Sequence, residues 1–191
     1  MSRSHPYTGI GSRKTPKHIL DVMVDIAREL EQRLYCLRSG GAEGADMAFE
    51  SGVRSEYWKE IYLPWPGFNG HDSTLHTPEP LAFDIAARFH PAWGALSPAM
   101  RKLMARNVHQ VLGVKLSINS PSKFVVCWTP DGAETMQRTS RATGGTGQAI
   151  RIASANTIPV FNLANDDAEG RLWQHVASIH QRDTFLDTWR S

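Results

Sequence analysis

Five short apolar runs punctuate this chain, and most of the segments between them carry their apolar residues at helical spacing. That alternation limits the fold more than any other feature. The runs are "HPYTGIG" from His5, "LYCLRSGG" from Leu34, "KEIYLPW" from Lys59, "SKFVVCW" from Ser122 and "IPVF" from Ile158. After the first run, Ile19, Val22, Met23, Ile26, Leu30 and Leu34 recur at three, four and seven, as on one face of a helix. "AEGADMAFESGV" reads as a helix stopped by Ser51-Gly52, and further helices are expected over Glu79 to Phe89, Ser97 to Leu112 and Arg171 to Ile179. In the Ser97 helix, Met100, Met104, Val108, Val111 and Leu112 mark the core face. Strands alternating with helices specify an α/β fold: one Rossmann-like domain with a parallel sheet and helices on both faces.

In that architecture ligands bind beyond the carboxyl ends of the strands, where the strand order reverses. Three glycine-bearing segments fall at such ends: Gly9 and Gly11 after the first strand, Gly40, Gly41 and Gly44 after the second, and Gly144, Gly145 and Gly147 before the helix that follows the fourth. A glycine loop opening a helix lets backbone N–H groups converge on an anion, and the helix dipole favours negative charge there. Three such loops at one sheet edge point to a phosphate-bearing ligand. "GIGSRK" is not a dinucleotide fingerprint, because Lys14 stands where the third glycine belongs, and no Gly-Lys-Ser/Thr follows to make a P-loop. No cofactor is expected.

Composition narrows the partners. The 191 residues carry a net charge of only +2 and no basic run, which argues against nucleic acid and against an acidic membrane surface. No apolar run approaches spanning length, and "MSRSHPYTGIG" lacks a signal-peptide core. Cys36 and Cys127 both sit in apolar runs, as buried thiols of a protein in a reducing cytoplasm would. The histidine pairs His71/His76 and His175/His180 make no ligand set, so no metal is expected. "GTG" is not a nucleophile elbow. Trp65, Phe68 and Asn69 lie just past a strand end, where an aromatic could stack on a base or simply pack its own loop. Trp128-Thr129 ends the fourth strand at the same edge, which makes Thr129 a candidate ligand contact. The long polar stretch Thr129 to Thr143 reads as a lid or an irregular loop.

"TGIGSR", "SGGAEGAD" and "GGTGQAIRIA" taken together resemble the SLOG superfamily, which unites the lonely-guy phosphoribohydrolases with the Rossmann-like domain of DNA-processing protein A. The second segment is similar to the S-G-x-A-R-G-x-D motif of the DNA-processing branch, the third to the P-G-G-x-G-T-x-x-E loop of the lonely-guy branch. The likeness covers Tyr7 to Leu163 and is nearest to small stand-alone members often carried by phages. It implies that Gly9, Ser12 and Arg13 form the first phosphate-side loop, that Gly40, Gly41 and Gly44 offer backbone amides, and that Gly144, Gly145, Thr146 and Gly147 cradle the phosphate. It also implies a ligand arginine on the helix before the fourth strand, either Arg101 or Arg106. Arg106, next to Asn107, is the better placed.

The departures matter as much. Gln148 and Arg151 stand where the lonely-guy loop has threonine and glutamate. N-glycosidic cleavage passes through an oxocarbenium-like state that a carboxylate normally stabilises, or activates water against. Any catalysis must therefore recruit Glu43, Asp46, Glu50 or Asp131, and Asp46 can equally be a dipole-stabilised acid in a helix first turn. The resemblance thus implies either a nucleotide phosphoribohydrolase or a non-catalytic nucleotide sensor or sponge. A single-stranded DNA-binding mediator is a third reading. It also implies a homo-oligomer paired through helices near the site, with the methionine-bearing Ser97 helix as the seam.

Overall fold

The computed structural model describes residues 5–116 and 120–188. The strands are β1 (His5–Gly11), β2 (Tyr35–Ser39), β3 (Lys59–Ile61), β4 (Val125–Trp128) and β5 (Val160–Asn162). They form one parallel sheet in the order β3-β2-β1-β4-β5. The helices are α1 (Lys17–Gln32), α2 (Ala45–Gly52), α3 (Pro80–Phe89), α4 (Pro98–Leu112), α5 (Thr146–Ala155) and α6 (Ala168–Thr188). The chain winds outward through β2 and β3, then returns past β1 to place β4 on its other side. The order therefore reverses between β1 and β4, where Gly11 lies opposite Trp128.

Side-chain alternation along the strands builds two cores. Tyr7, Leu37, Val126 and Phe161 face α1, α2 and α6, represented by Met23, Phe49 and Leu172. Ile10, Val125, Cys127 and Val160 face α3, α4 and α5, represented by Ala86, Val108 and Ile150. Helices thus cover both faces, as the strand–helix alternation requires.

Two residues depart from the expected helix stripes. Leu34 is not part of the α1 face: the helix ends at Gln32, and Leu34 turns out with φ 64° and is exposed. Met100 is likewise exposed, whereas Met104 is buried against the second core. The apolar face of α4 is thereby used up inside the chain, between α3 and α5. No helix among the described residues is long and apolar enough to cross a membrane.

Candidate functional site

In this architecture a ligand crevice is expected at the switch point between β1 and β4, on the carboxyl edge of the sheet. Gly11 and Trp128 lie side by side there, followed by the β1–α1 turn and the loop that leads to α5. α2 lies tightly on β1 because Gly9 and Gly11 carry no side chain. A Cβ on Gly9 would stand 2.6 Å from the Phe49 ring, and one on Gly11 2.6 Å from Ala45 Cβ. Gly44 meets the backbone of Ser12 and Arg13 in the same way. These three glycines bring the elements together, and their place is packing.

Gly40 has a different neighbour. A Cβ there would overlap the Arg106 guanidinium, which fills the space against the β2 turn. Arg106 Nη1 donates to Asp46 Oδ2 at 3.1 Å, with both side chains almost wholly buried. Burial raises the Asp46 carboxyl above its usual value, and Arg106 pulls it back down. The two residues expected to act on a substrate are thus each other's principal partner. Glu43, the third candidate acid, is exposed at the start of α2.

Glu50, one turn further along α2 from Asp46, is buried as well. Its Oε1 accepts from Ser39 Oγ at 2.6 Å and from the Gly41 amide at 3.0 Å, while Oε2 lies 3.4 Å from His71 Nε2. Asn69 donates to the Gly41 carbonyl, so both backbone groups of Gly41 are engaged within the chain. Burial pushes the Glu50 carboxyl up to about 7. The folded state then holds a proton that the unfolded state releases near pH 4.3. Glu50 therefore adds stability in full below that pH, and the contribution is lost as pH rises towards about 7. Glu50→Gln, fixed in the neutral form, should gain on the wild type by on the order of 2 kcal/mol between pH 5 and pH 8. Urea unfolding at the two pH values measures this; parallel pH profiles would refute it.

The start of α5 is open. Gly144 and Gly145 are exposed, no side chain among the described residues caps the helix, and no acid lies in its first turn. Gly144 has φ 63°, the left-handed region that favours glycine. Thr146 and Gly147 turn inward and are buried. The loop leading in is organised by Asp131, which accepts hydroxyl hydrogen bonds from Thr129, Ser140 and Thr143. Partial burial alone would raise this carboxyl, but the hydroxyls hold it at about 2. Its stabilisation is complete above pH ~4, the unfolded value, and is lost as pH falls through about 2. Asp131→Asn should flatten that acid limb and expose the 131–143 loop to proteolysis at neutral pH. A limited digest unchanged from wild type would count against the hub.

The remaining expected residues are structural ties or rim positions. Asn107 donates to Gln148, which itself holds the Ala86 carbonyl, locking α4 to α5 and to α3. Thr129 is fully buried and anchored to Asn162. Trp65 packs edge-to-face on Phe68 within their own loop. Ser12 caps its own turn by accepting from the Lys14 amide, and Arg13 is exposed beside it. A cavity of about 580 Å³ runs along β3, and one of about 190 Å³ lies just past its end, with Arg106 in the lining of the smaller. Tyr62, Glu79 and His109, which also line it, carry no motif that could have marked them in the sequence.

Several cations are paired, as in Lys17–Asp21, Arg28–Asp25, Arg33–Glu29 and Arg171–Asp167. Arg13 and Lys14 in the β1–α1 turn, Arg138 and Arg141 in the loop before α5, and Arg151 on α5 have no ion pair among the described residues, as is also true of cations elsewhere such as Arg54 and Lys123. Arg151 also reaches back towards the cradle: its Nη1 would lie 3.7 Å from a Cβ on Gly147.

No family model matches this sequence, and no curated protein matches it. Among solved structures, DNA processing protein A from Helicobacter pylori, described for its single-stranded DNA binding mode, is similar over 89% of this chain and 72% of its own, with 17% identity and a TM-score of 0.53. The likeness supports the Rossmann-like fold. That a protein of this fold binds single-stranded DNA also corrects the expectation that nucleic acid is an unlikely partner. That expectation rested on net charge and the lack of a basic run, which average over the surface and do not report the local charge a bound strand meets.

Proposed function

We propose that the protein binds a nucleotide at the crevice, with its phosphate on the α5 N-terminus, and holds it without cleaving the glycosidic bond. The observation that carries this reading is the exposed, uncapped start of α5, with the Arg151 guanidinium 3.7 Å from where a Gly147 Cβ would stand. Backbone amides and the helix dipole supply the anion site there, and Arg13, Arg141 and Arg151 supply charge. Every buried acid near it is committed: Asp46 to Arg106, Glu50 to Ser39 and Gly41. Neither is free to stabilise an oxocarbenium ion, and Arg151 is a cation where a carboxylate would be needed. Titration with a panel of nucleoside 5′-monophosphates, followed by chromatography for released base, tests this. Binding without free base is expected; base release that vanishes in Asp46→Asn would establish the hydrolase instead.

A second reading, single-stranded DNA, is favoured by the likeness to DNA processing protein A together with the same cations. If a strand rather than a mononucleotide occupies the crevice, affinity for labelled oligothymidylate should fall steeply with salt. If Arg13, Lys14, Arg138, Arg141 and Arg151 each neutralise one phosphate, the log–log slope would reach about −3.5. A mononucleotide that binds while the oligomer does not would exclude it.

A further inference from the structure

The smaller cavity, about 190 Å³, lies between the end of β3, the 74–79 segment and the outer side of α4. Its polar lining has a definite sense. Arg106 Nη1 is held by Asp46, while Nε is buried with no partner among the described residues, so this side chain still has a donor to offer a ligand. His109, one turn further along α4, places Nδ1 3.2 Å from the Gly113 carbonyl. A carbonyl only accepts, so Nδ1 carries the proton and Nε2 is left as an acceptor. The Tyr62 ring stacks on the imidazole at 5.6 Å and 14° and fixes its plane. Burial keeps this histidine neutral at physiological pH. Glu79, close enough to influence His109, adds a carboxylate acceptor at the rim.

We propose that this cavity is the base subsite of the nucleotide site and selects guanine, with Arg106 donating to the ring carbonyl while His109 and Glu79 accept from the ring N–H and the exocyclic amine. The inference rests on the nucleotide reading. Guanine's pairing edge presents one acceptor followed by two donors, which complements one donor and two acceptors; adenine and the pyrimidines do not present that order. The volume suits a single base. Arg106 joins the subsite to the crevice, since its guanidinium lies against Gly40, and α4 meets the cradle through Met104, whose Cε is 3.6 Å from where a Gly145 Cβ would stand. The rim also bears strain: Thr77, a β-branched residue, has φ 58°. Such strain gathers at ligand clamps.

The test is titration of guanosine, inosine and adenosine 5′-monophosphates, with pyrophosphate as the phosphate-only probe, into wild type and Glu79→Gln. Glu79 is exposed, so the variant leaves the fold intact. The guanosine nucleotide should bind at least tenfold tighter than the other two. Glu79→Gln should shrink the guanosine–inosine gap below threefold and leave pyrophosphate binding unchanged. Equal binding of the three nucleotides, with pyrophosphate competing, would overturn the guanine subsite and leave the phosphate site standing. A gap that Glu79→Gln does not alter would overturn it as well. Failure of every nucleotide and of pyrophosphate to bind would overturn both.

Discussion

Gly40→Ala is expected to cost about 3–5 kcal/mol of stability, far more than one methyl group ordinarily does. The added Cβ would fall 2.3 Å from Arg106 Cζ and 2.9 Å from Asp46 Oδ2, so the guanidinium must leave its place. Asp46 is 2% exposed and would lose its counter-charge in a site where water cannot replace it. Breaking one side of a buried ion pair is costly because the charge left behind stays desolvated. Guanidinium chloride unfolding at neutral pH measures the effect. Adding Asp46→Asn to Gly40→Ala should recover part of the loss, since a neutral amide needs no counter-ion. A Gly40→Ala penalty under about 1 kcal/mol would mean that Arg106 swings out freely, and the pair would then not be structural.

Gly145→Asp is expected to move stability and binding in opposite directions. Gly145 has φ −63° and ψ −29°, which any L residue adopts, and its Cβ would meet only Met104 Cε at an ordinary 3.6 Å. A carboxylate at the positive end of α5 should stabilise the fold by about 0.3–1 kcal/mol. The same negative charge would occupy and repel at the phosphate site, so nucleotide affinity should fall by about a hundredfold or more, roughly 2.7 kcal/mol. Thermal melts and calorimetric titration report the two quantities separately. Unchanged affinity in a stabilised variant would place the phosphate elsewhere. Gly144 is the poorer probe, since a side chain at its φ of 63° is strained whatever it touches.

Which residues of the crevice could be read in advance follows from the range of the physics involved. Gly144 and Gly145 are legible as a loop opening a helix because turn and helix are local, and the helix amides converge without help from distant residues. Arg106 and Asp46 stand out as charges in apolar surroundings, yet 60 positions separate them, and nothing local says that they pair. Asn107 reads as a ligand contact beside Arg106 but is spent on Gln148, again through a contact between separate helices. His109 reads as one more helix residue. Only its Gly113 hydrogen bond and the Tyr62 ring reveal a free acceptor.

The sequence by itself determined the class of fold: five apolar runs alternating with helical stripes leave few arrangements other than a parallel sheet covered on both faces. It also marked the edge proposed here for a ligand, because strand ends, glycine turns and helix starts coincide there. Tertiary structure alone decided the chemistry at that edge. Which acids are neutralised, which cations are left unpaired and where a cavity opens all depend on pairings between residues far apart in the chain. Burial then sets their energies: the same carboxylate is a catalyst when exposed to a substrate and a structural anchor when a guanidinium covers it.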